Sequence, residues 1–272
     1  MIGCHGRFVW YDLMTTDVAA AKAFYTKVVG WGTRDAVTLG RSHTLFTVGG
    51  GLAGGVMDLP EDARKTGGTP MWVGYVGVND VDATVDRIKR LGGAVRVPPT
   101  NVLDISRLSI VTDPQMAMLA VIQWLRPGEQ EPPVLTERKR VGWHELLAAD
   151  SEEAFSYYGE LFNWRKAQAD RGPFGTYHLF SVGGQTIGGM FTKPPLARVS
   201  HWLYYFNIGD IDAASERVKS GGGQVLGCPV EVSGGNWIAR CIDPQGAAFA
   251  LEGGRRHGSA IGYFAPRPAA PV

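Results

Sequence analysis

Val9-Trp10-Tyr11-Asp12-Leu13-Met14-Thr15-Thr16-Asp17 runs into Val18-Ala19-Ala20-Ala21-Lys22-Ala23-Phe24-Tyr25 and closes at Trp31. The phrase returns as Gly142-Trp143-His144-Glu145-Leu146-Leu147-Ala148-Ala149-Asp150, then Ser151-Glu152-Glu153-Ala154-Phe155-Ser156-Tyr157-Tyr158, closing at Trp164. Six positions are identical at one spacing of 133 (143 − 10, 164 − 31): Trp10/Trp143, Leu13/Leu146, Asp17/Asp150, Ala21/Ala154, Tyr25/Tyr158 and Trp31/Trp164. A spacing held across a whole segment marks a duplication, so the chain is read as two like halves.

Each copy predicts a strand and then a helix. Phe8, Trp10, Asp12 and Met14 alternate with Val9, Tyr11 and Leu13 as on a pleated strand. Asp17 and Asp150 are N-caps, and Glu153 adds a capping box in the second copy. Ala21, Phe24, Tyr25 and Val28 make one apolar stripe that packs on a sheet. Three strands complete the unit, with hairpins at Gly49-Gly50-Gly51 and Gly183-Gly184.

The same order then repeats within each half. Met71 to Val78 and His201 to Ile208 open it, helices start at Asp80 or Asp82 and at Asp210, and glycine runs at 92–93 and 221–223 stop them. The last hairpins turn at Asp113-Pro114-Gln115 and Asp243-Pro244-Gln245. Four βαβββ modules follow, with residues 1–126 and 141–256 as domains. Residues 127–140 are a polar, proline-rich linker and 257–272 a loose proline-rich tail.

Composition narrows the function classes. A net charge of +1 gives no general attraction to nucleic acid or acidic lipid. No apolar run spans a membrane, and the first residues lack the core of a signal peptide, so a cytoplasmic protein is expected. Three cysteines without metal spacing suit a reducing compartment.

Paired and then duplicated modules of this kind resemble the vicinal oxygen chelate superfamily, which includes glyoxalase I, bleomycin resistance proteins and extradiol dioxygenases. The resemblance rests on 150–164, the helix starts Asn79-Asp80-Val81-Asp82-Ala83 and Gly209-Asp210-Ile211-Asp212-Ala213, and the Asp-Pro-Gln turns. It covers about residues 7–125 and 141–253 and looks closest to actinobacterial-type two-domain glyoxalase-like proteins, some of them labelled hydroxylases. The resemblance implies an α+β fold: two glyoxalase-like domains, each a cupped mixed sheet with helices outside. In metal-using members the cup holds one divalent ion, bound by His, Gln or Glu from the first and last strands of the units.

Transferred by counting from the caps, those ligand columns fall on Trp10 and Trp143, near Val73 and Leu203, and on Ala120 and Ala250, none of which binds a metal. The usual site is therefore read as lost. A step of two keeps the face of a strand, and two places along the second half carries Glu145, His201 and Glu252. These are the candidate catalytic or metal-binding residues, for Fe, Mn, Ni, Co or Zn. Two residues of strand cover about 6.6 Å, which weighs against convergence on one ion. In the first half only Asp12 stands at such a place.

Trp10 and Trp143, in the emptied columns, are expected to face the cup and make it aromatic, with Tyr205, Asp12 and His178 as further ligand-binding candidates. His144 is expected as a bonded interior histidine, while His43 and His257 are placed in loop or tail with no role. Two readings stay open. One is a cup that binds a small, flat organic molecule; the other is a metal-dependent lyase, isomerase, dioxygenase or hydroxylase working in the second domain. The chain is expected as a monomer with an internal pseudo-dimer, or as a homodimer.

Overall fold

A computed structural model of the chain describes residues 4–38, 41–125, 137–172, 175–194, 199–232 and 234–255. Residues 126–136 of the linker region and the tail from 256, with His257, lie outside the described residues. The first module is β1 (Phe8–Thr15), α1 (Val18–Val28), β2 (Gly32–Thr38), β3 (Arg41–Val48) and β4 (Gly51–Asp58). A short α2 (Glu61–Lys65), absent from the expectation, leads to β5 (Met71–Gly77), α3 (Val81–Arg90), β6 (Ala94–Val102), β7 (Ser106–Thr112) and β8 (Met118–Trp124).

The third module is β9 (Val141–Ala148), α4 (Ser151–Phe162), β10 (Arg165–Gly172), β11 (Gly175–Val182) and β12 (Gln185–Thr192). The fourth is β13 (His201–Asp210), α5 (Ile211–Ser220), β14 (Gln224–Val225), β15 (Val230–Glu231), β16 (Trp237–Ile242) and β17 (Ala248–Gly254).

Each major helix starts where an aspartate caps it. Asp17, Asp80, Asp150 and Asp210 are extended and accept amides of the first turn through their side chains. In every module the helix carries the chain across, so the opening strand pairs in parallel with the last: β1 with β4, β5 with β8, β9 with β12 and β13 with β17. The hairpin strands pair antiparallel. The sheet orders are β2-β3-β4-β1-β5-β8-β7-β6 and β10-β11-β12-β9-β13-β17-β16-β14, with β15 on β16. The α+β class and the tandem modules are as the sequence implied. No described helix is long and apolar enough to cross a membrane.

Packing groups the modules across the halves. One compact unit is Met1–Trp10, Val73–Pro133 and His144–Trp202, and so contains the second and third modules. The other is Tyr11–Trp72, Val134–Trp143 and Leu203–Val272, containing the first and fourth.

Both units are built on the same buried motif. In the first, the Tyr158 hydroxyl accepts from Trp202 Nε1 at 3.2 Å and donates to Asp113 Oδ2 at 2.9 Å. In the second, the Tyr25 hydroxyl accepts from Trp72 Nε1 at 2.8 Å and donates to Asp243 Oδ2 at 3.1 Å. The other oxygen of each aspartate takes two amides of its own turn, Gln115 and Ala117 or Gln245 and Ala247. Trp164 Nε1 donates to the Gly6 carbonyl in the first unit, and Trp31 Nε1 to that of Lys139 in the second. Around these polar points the rings are stacked or edge-on, as with Trp164 on Phe180 at 4.3 Å and Trp31 on Phe206 at 5.0 Å.

Burial holds the Asp113 carboxyl above the ordinary aspartate range, opposed by the turn amides and the Tyr158 hydroxyl. A carboxyl raised in the folded state favours folding in acid, and that contribution is lost as pH climbs from about 3.9 through the folded value. The hydroxyl acts in the opposite sense, because it donates to the ionised oxygen. Tyr158→Phe is therefore expected to cost about 1–3 kcal/mol at pH 8 and less near pH 4, measured by urea unfolding. Equal losses at the two pH values would mean that the hydroxyl does not sit on an ionised Asp113.

Candidate functional site

Strand alternation separates two sets of side chains. Leu13 and Val56, fully buried, pack toward the helices, as do Leu146 and Met190 in the third module. Trp10 and Asp12 on β1, and Trp143 and Glu145 on β9, take the other parity and lie on the helix-free face of their strands.

On that face of the first unit, Glu145 is 4% exposed and accepts a 3.0 Å hydrogen bond from the Tyr177 hydroxyl of β11. Glu145 and Tyr177 meet across β12 at Gly189, which is in register with Glu145. A Cβ at 189 would run into the Tyr177 ring, so the pair needs bare backbone there. Phe191 stands next along β12 on the same face, its ring 6.0 Å from that of Tyr177.

The second unit contains the counterpart. Asp12 of β1 and His43 of β3 meet across β4 at Gly55, which is in register with Asp12. His43 Nε2 lies 3.3 Å from Asp12 Oδ1, with side-chain exposures of 11% and 5%. A Cβ at 55 would collide with both atoms. These positions recur in the two halves at nearly the duplication spacing, 133 for the carboxylates (145 − 12) and 134 for the rings and glycines (177 − 43, 189 − 55).

The remaining candidates are placed separately. Tyr205 is buried, and its register neighbour Ala250 has Arg240 on its other side, so the three share a face of the fourth module. Glu252 accepts from Asn236 Nδ2 at 3.2 Å. His201 stands at the start of β13, its Nδ1 3.1 Å from the Val199 carbonyl oxygen. Trp143 is buried and Trp10 partly so.

Two expectations need correction, those for His178 and His43. His178 does not line the helix-free face: it alternates with Tyr177, turns to α4 and sits 3.2 Å from Glu152 Oε1, with burial lowering its pKa. His43 is a strand residue and meets Asp12, so its assignment to a loop fails. His144 is a bonded interior histidine, with Nδ1 2.6 Å from the Ile187 carbonyl oxygen and its ring stacked 4.0 Å from Phe8.

The metal reading fares poorly on donor geometry. Among the described residues no three of His, Cys, Asp and Glu gather so as to hold an ion, and Glu145, His201 and Glu252 are therefore not assembled as a metal set. Sequence reasoning missed His43, Tyr177 and the two glycines. The signal was the twinned Gly54-Gly55 and Gly188-Gly189, repeated in the hairpin strand of each half.

Comparison with known proteins agrees with the architecture. The family model of the Glyoxalase/Bleomycin resistance protein/Dioxygenase superfamily matches residues 7–121 and 140–251. The chain is 32% identical over 244 residues to "Putative glyoxylase CFP32" of Mycobacterium tuberculosis (strain CDC 1551 / Oshkosh), covering 89% of this chain and 92% of that protein. It is 30% identical over 264 residues to the "Anthracycline biosynthesis protein DauV" of Streptomyces sp. (strain C5), covering 90% and 92%. Among solved structures, the Mn(II)-bound glyoxalase from Novosphingobium aromaticivorans superposes with a TM-score of 0.63 at 14% identity, over 92% of this chain and 82% of that one.

Gly189→Ala is expected to destabilise the protein by about 1–3 kcal/mol, as overpacking does. In the double variant with Tyr177→Ala the penalty should shrink, because the ring that the methyl strikes is gone. Additive losses in urea unfolding would show that the glycine does not make room for Tyr177.

Proposed function

The chain belongs to the Glyoxalase/Bleomycin resistance protein/Dioxygenase superfamily, and from that premise we propose that it binds a small, planar, hydroxylated aromatic molecule on the helix-free face of its second half. The observation that carries this reading is the Glu145–Tyr177 pair. A carboxylate withdrawn from water and oriented by a phenol at 3.0 Å is a directed acceptor for a ligand hydroxyl. Phe191 beside Tyr177, and Trp143 on the same face of β9, supply flat apolar surface for the ring.

The name of DauV, a relative in anthracycline biosynthesis, supports polycyclic phenols as the ligand class. The alternative is a metal-dependent lyase, isomerase or dioxygenase-type enzyme with Glu145, His201 and Glu252 as ligands or as acid and base. The fold likeness to a Mn(II)-bound glyoxalase favours it; the dispersed donors weigh against it.

Alizarin, a dihydroxyanthraquinone, is the probe. Calorimetry should show it binding the full chain, and Glu145→Gln should weaken that binding about tenfold or more, as loss of a hydrogen bond to a charged group does. Trp143→Ala should weaken it too, with less quenching of indole fluorescence. No heat and no quenching with saturating alizarin, catechol or a 2-oxoaldehyde–thiol adduct would sink the proposal. Close to one equivalent of Mn, Fe, Ni, Co or Zn in protein purified without chelator would favour the enzyme reading instead.

A further inference from the structure

We infer that a groove beside α4, facing the C-terminal end of α3 and the turn at Asp113-Pro114-Gln115, binds a small aliphatic primary amine. The groove is built on a helix and not on the helix-free face, so the inference does not rest on the function proposed there. Its volume is about 310 Å³, and all its lining residues belong to the unit that holds the second and third modules. Leu91, Pro114 and Ala154 give it apolar walls, and Glu153, Ser156, Tyr157 and Glu160 of α4 supply polar atoms.

Glu153 and Tyr157 are both available to a ligand. The Asp150 N–H, which a capping box would give to Glu153, goes instead to Gln115 Oε1 at 3.0 Å. Gln115 also accepts from Ala149 N–H and donates to the Asp150 carbonyl, so the start of α4 is held without the glutamate. Among the described residues the Glu153 carboxylate has neither ion pair nor hydrogen bond. Tyr157 is only 8% exposed, yet its hydroxyl completes no hydrogen bond among the described residues. A phenol buried to that degree is ordinarily bonded, and an exception that lines a cavity calls for a partner from outside the chain. Burial, and then the charge of Asp113, push the Tyr157 phenol well above its ordinary range, so at neutral pH it is a hydroxyl with lone pairs to offer.

The other half shows what has changed. At the duplication spacing of 133, Glu153, Ser156, Tyr157 and Glu160 answer to Ala20, Ala23, Phe24 and Lys27. Phe24 packs against Gly221 and Gly223, and Lys27 Nζ donates to the Ser220 carbonyl at 2.8 Å. The twin is thus apolar and basic where this groove is hydroxylated and acidic. Packing does not ask for the difference, since Phe24 fills its corner without an oxygen.

The acceptors set the ligand class. An ionised carboxylate can only accept, and the hydroxyls of Ser156 and Tyr157 accept as well as donate. An ammonium carries three donors on one compact atom, and a short hydrocarbon body suits the walls. Anions are repelled by Glu153 and by Asp113 behind the phenol. Glu160 already pairs with Arg87 at 3.2 Å and adds no net charge. No three of His, Cys, Asp and Glu gather among the described residues, so the donor set does not suit a metal cation.

Cyclohexylamine is the probe, added in amine-free buffer to the full chain carrying carbon-13 at the hydroxyl-bearing carbon of its tyrosines. Tyr157→Phe, which copies Phe24, identifies the Tyr157 signal by its loss. Cyclohexylamine should shift that signal saturably. Cyclohexanol, which lacks the charge, and trimethylcyclohexylammonium, which keeps the charge without donor hydrogens, should not. Calorimetry should show Glu153→Gln weakening amine binding about two- to fivefold, the scale of an exposed ion pair. Tyr157→Phe should weaken it about tenfold, the scale of a hydrogen bond to a charged group, and circular dichroism checks that both variants are folded. If the Tyr157 signal stays still, if either control moves it as the amine does, or if Glu153→Gln binds as tightly as the unmutated chain, the groove is no amine site. Alizarin reports on the helix-free face, so its binding stands or falls separately.

Discussion

A tyrosine hydroxyl held between an indole N–H and a buried aspartate is the constraint on which both packing units depend. The tyrosine comes from a helix in one half of the sequence and the aspartate from the last turn of the other half. In each unit, then, the oxygen ties a helix of one repeat to a hairpin of its counterpart. Taking a carboxylate out of water is costly unless its lone pairs are filled. Here two turn amides and one phenol fill them. The same three donors hold the turn closed, seat the helix and orient the tryptophan, so no member can shift without stranding the rest.

This explains what the repeat preserves. Of the six identities between the halves, Tyr25/Tyr158 are the hydroxyls and Trp31/Trp164 donate to the carbonyls of Lys139 and Gly6. Asp17/Asp150 cap helices, and Leu13/Leu146 and Ala21/Ala154 are buried. Five of the six thus serve packing. Only Trp10/Trp143 lie on the helix-free face, and they occupy the columns where the resemblance places metal ligands.

Strands, caps and module order were legible because each is set by neighbours within a few residues. The tryptophans were half legible. Trp10 and Trp143 stand seven residues before their capping aspartate, whereas Trp72 and Trp202 stand eight before theirs. One residue of pleat reverses the face. Trp72 and Trp202 accordingly point to the helices and bond to Tyr25 and Tyr158. Counting from the caps could have separated the two pairs. What no count along the chain gives is a meeting across three strands. Asp12 and His43 are far apart in sequence, and a glycine between them on β4 carries no sign of which neighbours it admits. The twinned glycines hold that information in part. Gly54 and Gly188 abut backbone and ring atoms of the helix-side core, while Gly55 and Gly189 clear the opposite face.

The two carboxylate–ring pairs differ in a coordinated way. Glutamate is one methylene longer than aspartate, and a phenol oxygen reaches farther from its Cα than an imidazole Nε2. Both partners lengthen together in the second half, and the contact stays close, 3.0 Å against 3.3 Å. A single lengthening would have driven one side chain into its partner or left a gap, and buried polar atoms tolerate neither. The pairs are therefore two solutions to one steric problem over one bare stretch of backbone. They present different chemistry above it: in the second half a phenol donating to a carboxylate, and in the first an imidazole nitrogen beside one. Duplication supplied the same floor twice, and the ring standing on it sets which polar group each half presents there.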